Sequence, residues 1–158
     1  MNFFINNEFS SLKSVILGIG LDFGGTPKLE DVYDPHSREN ILQGTFPSEN
    51  SIIAELNQFE LILKKYKVKV YRPKNIMNIN QIFTRDIGFV VDDFFFISNV
   101  IKEREKEFPA IKNILSEFNK EKIINLKDDI NIEGGDVVLL GDTVFIGFSK
   151  DEDFSKYT

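Results

Sequence analysis

Two acids flank a pair of glycines in Ile132-Glu133-Gly134-Gly135-Asp136, and the chain then runs directly into Val137-Val138-Leu139-Leu140-Gly141. Glycine lets another backbone or a ligand come close, so a strand opening on this turn holds both carboxylates at its mouth. One reading is a tight turn with solvated acids, Asp136 capping it through its side chain. The other is a binding or catalytic loop. Phe83-Thr84-Arg85-Asp86 repeats the arrangement, since it too ends an irregular segment before an apolar strand. Two acid-bearing strand mouths are harder to dismiss than one.

A chain of 158 residues is the size of one domain, residues 1–158, with enough apolar content for a core (42% hydrophobic, 28% charged). Its 16 phenylalanines, with no tryptophan, lead us to expect a core filled by bulky rings. Net charge is −6. Nucleic acid and anionic membrane both require a basic surface and are therefore poor partners, whereas a cationic small molecule suits. No cysteine is present, which excludes disulfides, thiolate metal sites and a thiol nucleophile within this sequence. Met1 to Glu8 lacks the basic start, apolar run and small-residue cleavage site of a signal peptide. Nowhere do 18 apolar residues run together, so a cytoplasmic chain is expected.

Pattern gives the element order. Leu12–Gly18 reads as a buried strand, and residues 19–46, rich in glycine and proline, as a long loop carrying the sole histidine, His36. A solvated or hydrogen-bonded histidine is the ordinary reading there. Pro47 and Ser48 open a helix whose Ile52, Leu56, Phe59 and Leu63, with Ile53, Ile62 and Tyr66, face the core. Val68–Arg72 is a strand. Ile87–Val91 and Phe94–Ser98 form a hairpin across Asp92-Asp93. A helix starts at Pro109 and reaches Phe118 with Ile111, Ile114, Leu115 and Phe118 inward, and Lys122–Leu126 is a strand. Val137–Leu140 then pairs with Thr143–Phe148 across Gly141-Asp142. The class is α/β, in units of ββα type. Gly18-Ile19-Gly20 lacks the further glycine and helix of a dinucleotide turn, so nucleotide binding is not expected.

Phe83-Thr84-Arg85-Asp86, the stretch Asn99…Arg104-Glu105…Glu107, Glu133-Gly134-Gly135-Asp136-Val137 and the hairpin ending Ile146-Gly147-Phe148-Ser149 occur in an order that resembles the amidinotransferase and arginine deiminase superfamily of pentein fold. Leu12–Gly18 and Thr45-Phe46-Pro47 resemble the start of bacterial members related to arginine deiminase and dimethylarginine dimethylaminohydrolase. The resemblance implies a five-bladed α/β propeller, of which this chain supplies the N-terminal half. It implies an amidinohydrolase or amidinotransferase acting on arginine-type substrates, with no metal or cofactor. Asp86 matches the carboxylate that grips the substrate guanidinium, and Glu133 matches the catalytic acid that also contacts it, with Asp136 close by. Arg104 resembles an arginine that holds a substrate α-carboxylate; its ordinary reading is a solvated residue or an ion-pair partner. The family's thiolate nucleophile and proton-shuttling histidine belong to its second half, and His36 stands too early to match. The chain alone is therefore expected to be inactive, and to form homodimers or pair with the missing C-terminal half. A non-catalytic module for arginine-like or other cationic molecules is the alternative. A site for Mg²⁺ or Ca²⁺ built from Asp86, Glu133 and Asp136 is a third reading.

Overall fold

The first pairing joins segments far apart in sequence. Strand β1 (Ser14–Ile16) lies parallel to β2 (Lys69–Tyr71), with Val15 opposite Val70. A parallel pair needs a crossover, and helix α2 (Glu49–Lys65) is the element that packs on it. The Ser48 side chain accepts from the Ser51 amide at the start of α2, and Glu49 in the first turn with Lys64 and Lys65 in the last complements the helix dipole. Leu63 of α2 joins Leu17 and Val68 in a core cluster. Arg72 closes this layer from the side, donating to Glu60 Oε2 from Nε at 2.9 Å and Nη2 at 2.7 Å, and to the Gly18 carbonyl. The computed structural model describes residues 3–32, 34–127 and 129–148.

The second sheet has three strands in the order β3 (Gly88–Val91), β4 (Phe94–Ile97), β5 (Ile123–Asn125). β3 and β4 form the expected hairpin, and β5 joins β4 in parallel. Between them the chain makes a 3₁₀ segment, Glu105–Ile111, that continues into the short helix α3 (Lys112–Leu115). Pro109 therefore sits inside the 3₁₀ segment instead of opening an α-helix. Its inward residues are nonetheless the expected ones: Ile111, Ile114 and Leu115 pack with Ile87 and Phe95, and Phe118 lies against that cluster. The third sheet is the hairpin β6 (Val137–Leu140) and β7 (Thr143–Ile146), with Val137 and Leu139 buried beside Ile132.

The N-terminal segment stitches two hairpins together. Ile5 exchanges backbone hydrogen bonds with Asp92 at the tip of β3–β4, and the Gly141 amide at the tip of β6–β7 donates to the Asn6 carbonyl at 2.8 Å. The Phe3 ring meets Phe118 with centroids 4.7 Å apart.

Three expectations are corrected. Residues 19–46 are not wholly a loop, because Pro35–Leu42 forms helix α1, capped by the Asp34 side chain on the His36 and Ser37 amides. The core is mainly aliphatic: Phe23 and Phe95 are buried, whereas Phe4, Phe9, Phe59, Phe83, Phe145 and Phe148 are exposed. On α2, Phe59, Ile62 and Tyr66 point outward, and Ile52 and Leu63 carry the burial. Tyr33 and the tail from Ser149 onward, including the end of the final hairpin motif, lie outside the described residues.

Candidate functional site

The two acid-bearing turns meet. Asp86 Oδ2 accepts from Arg104 Nη1 at 3.0 Å, and both Glu133 oxygens accept from that same nitrogen at 3.1 Å. Their convergence is built by glycine. A β-carbon on Gly134 would lie 2.1 Å from the Arg85 carbonyl oxygen, and one on Gly135 would lie 2.8 Å from Asp86 Oδ1. Only a residue without a side chain lets the second turn nest against the first. Arg85 then fastens them, donating from Nε to the Gly134 carbonyl at 2.8 Å and from Nη2 to the Val137 carbonyl at 2.6 Å. The acid that Arg85 pairs with is Glu8, reached by both Nη atoms; Glu8 Oε1 also accepts from the Leu139 amide.

The resemblance gives Arg104 a substrate carboxylate, and the ordinary reading makes it a solvated residue or an ion-pair partner. It faces three carboxylates of its own chain: Nε and Nη2 form a two-point pair with Glu107 at 2.8 and 2.9 Å, while Nη1 serves Asp86 and Glu133. At 8% exposure it is an ion-pair partner and not a solvated residue. Burial opposes its charge, but the hydrogen bonds and charge of Glu107, with Glu133 and Asp86, hold its pKa above the ordinary arginine value. Burial raises the Glu133 carboxyl above its usual range. Arg104 pulls it back, and the charges of Asp86 and Asp136 push it further up. Glu107 is likewise raised by burial, against the hydrogen bond and charge of Arg104.

These groups line a cavity of about 1260 Å³. Asp86, Arg104, Glu107, Glu133 and Asp136 contribute to it, and so does His36 at the start of α1. Asp136 holds its place through its backbone, the amide donating to Glu133 and the carbonyl accepting from Gly147 at 2.9 Å. Phe23, Phe46, Phe83 and Phe148 supply aromatic surface. Among the described residues no group of three or more His, Asp or Glu side chains could hold a metal ion. Asp86, Glu133 and Asp136 are thus not brought together as a metal-ligating set.

Sequence reasoning missed Glu8 as an anchor and Glu107 as the main partner of Arg104. The spacing Arg104-x-x-Glu107 is the available signal for the second; nothing local marks the first. Residues 19–46 contribute to the lining through Phe23, Asp31, Asp34 and Phe46.

No protein-family model matches the chain. "Uncharacterized protein YkgA" of Bacillus subtilis (strain 168) is 39% identical over 77 residues, which is 48% of this chain and 26% of that protein. Among solved structures, the inosamine-phosphate amidinotransferase StrB1 from Streptomyces griseus superposes with a TM-score of 0.66 at 16% identity, over 89% of this chain and 53% of that one. SxtG, an amidinotransferase from Microseira wollei in the saxitoxin biosynthetic pathway, gives a TM-score of 0.66 at 18% identity over the same shares. The chain has the α/β fold of the amidinotransferases, and it spans about half the length of those enzymes. Among the described residues no helix is long and apolar enough to cross a membrane.

Proposed function

Taking the amidinotransferase fold as premise, we propose that this chain is the guanidinium-gripping part of a cytoplasmic guanidino-modifying enzyme, an amidinohydrolase or amidinotransferase. The observation that carries the reading is that Asp86 and Glu133, from separate turns, already hold one guanidinium nitrogen between them. A guanidinium is planar, always charged and rich in paired donors, so converging carboxylates are the equipment that recognises it. Asp86 Oδ1 accepts no hydrogen bond from the described residues and remains open toward a ligand in the cavity.

In this reading Asp86 grips the ligand guanidinium. Glu133, its carboxyl raised by burial, holds or passes a proton beside the reacting carbon, and Asp136 adds negative potential. A thiolate attack on that carbon needs a cysteine, which this sequence does not hold. We therefore assign binding to this chain, and the nucleophile to the remainder of an amidinotransferase-like propeller whose blades correspond to the three sheets seen here. The partners are a guanidino small molecule and that remainder, or a second copy of the chain.

Calorimetry with methylguanidine tests the binding claim. Uptake weakened at least about tenfold by Asp86→Asn supports it, whereas no detectable uptake by the parent chain sinks it. A second reading is a non-catalytic binder of cationic molecules, which the acids of this cluster also suit. Mixing the chain with a polypeptide bearing the rest of the fold separates the two, because turnover of a guanidino compound then appears only for a split enzyme.

A further inference from the structure

Helix α2 has two apolar sides, and the described residues cover one of them. Ile52 is buried, and Leu56 and Leu63 pack with Leu17 and Val68. Phe59 and Ile62, with Tyr66 at the C-cap, point away from that layer at 50%, 53% and 76% exposure. Residues 55, 59, 62 and 66 are four, three and four positions apart. That spacing sets Glu55 and the three apolar residues on one stripe, as in the seam between two paired helices. A lone exposed apolar residue is ordinary, but an aligned row of them marks a contact surface.

The charges at the two ends of the stripe say what fits it. Glu55 stands at its N-terminal end and Lys65 beside its C-terminal end. Neither belongs to an ion pair among the described residues, whereas Lys64 is already held by Glu60 at 2.6 Å. A second copy laid antiparallel, about a two-fold axis between residues 59 and 62, serves both ends at once. Phe59 then packs on the partner's Ile62 and Glu55 faces the partner's Lys65, each contact being made twice. Parallel pairing would instead set like charges together and align the two helix dipoles. A purely acidic or purely basic partner would satisfy one end only.

We propose that the outer face of α2, formed by Glu55, Phe59, Ile62, Lys65 and Tyr66, is where two copies of this chain pair, helix against helix and antiparallel. One helix face is small beside the about 800 Å² per partner of a stable interface, so the dimer is weak and grows in with concentration. Pairing here is independent of the guanidinium seat, whose cavity no described residue of α2 lines.

Sedimentation over a concentration series tests this, on the 158-residue chain carrying Phe145→Lys with Ile146→Thr. Those two changes silence the exposed strand β7, which is a separate source of association. A monomer–dimer equilibrium should remain, and Ile62→Glu should weaken it at least about tenfold. Ile62 is exposed, so that variant should melt as its parent does. Glu55→Lys and Lys65→Glu should each weaken pairing about fivefold, and the two together should restore it. A monomer at every concentration overturns the proposal. So does a dimer that Ile62→Glu leaves intact, since its contact lies elsewhere. A doubly reversed chain that pairs no more tightly than either single reversal also overturns it, and leaves the face to a different occupant.

Discussion

Arg104 and Glu107 meet in parallel, Nε to Oε1 at 2.8 Å and Nη2 to Oε2 at 2.9 Å, with the Glu107 side chain only 6% exposed. The pair lies across one turn of the 3₁₀ segment and turns the remaining guanidinium edge toward Asp86 and Glu133. Glu107→Ala would leave a buried cation with fewer partners. We expect a loss of about 3 kcal/mol in urea denaturation, and a loss under about 1 kcal/mol would contradict this account.

The acids of the cluster make an unusual contribution to pH dependence. Glu133 and Glu107 have carboxyl pKa values raised above the ordinary range, so above that range the folded chain keeps protons that the unfolded chain has released. Stability from these two groups is present at acidic pH and is lost as pH rises through their folded values. Glu133→Gln should therefore flatten the decline of melting temperature as pH rises above the ordinary glutamate range. Parallel curves for parent and variant would refute it.

The two glycines of the second turn should fail differently. Gly134→Ala forces a β-carbon into the Arg85 carbonyl and should cost upward of about 2 kcal/mol. Gly135→Ala meets only the tip of the Asp86 side chain and should cost about 1 kcal/mol or less. Its larger effect should fall on methylguanidine affinity, because Asp86 must turn away. Chemical denaturation and calorimetry on both variants would show whether the two effects separate.

Arg85 and Glu8 are both substantially exposed, at 51% and 36% of their side chains, so the ion pair itself contributes little. The carbonyls of Gly134 and Val137 are another matter, since Arg85 is their donor. Glu8→Gln should change stability by less than about 1 kcal/mol, and Arg85→Ala should cost about 2 kcal/mol. Equal effects from the two substitutions would show that the carbonyl contacts carry nothing.

Among the described residues strand β7 pairs only with β6, and Val144, Phe145 and Ile146 along it are exposed, as are Val138 and Leu140 on β6. An open, apolar edge recruits another strand. Sedimentation should show self-association of the purified chain, relieved by Phe145→Lys with Ile146→Thr. A parent that sediments as a monomer at all concentrations would refute it.

Both hairpins, α2 and the two acidic turns were legible because each is fixed locally, by turn residues, a proline-serine start or alternating apolar positions. The convergence of Asp86 and Glu133 is expected from the family resemblance together with their position at strand mouths. Helix α1 was missed because it buries no residue and so leaves no apolar stripe, although Asp34-Pro35 is a cap-and-proline start. Pro109 misled for the opposite reason: a start signal occurred within a 3₁₀ segment whose conformation is set by packing against the second sheet. The partnership of Glu8 with Arg85 could not be read at all, since it depends on the path of the whole chain.

The stitch made by Ile5 and Asn6 reaches beyond the segment itself. A substitution at Ile5 or Asn6 that loosens this segment would release the tips of two hairpins and, through Glu8, reach the arginine that fastens the acidic turns. The N-terminal segment is thereby a remote brace of the ligand cavity.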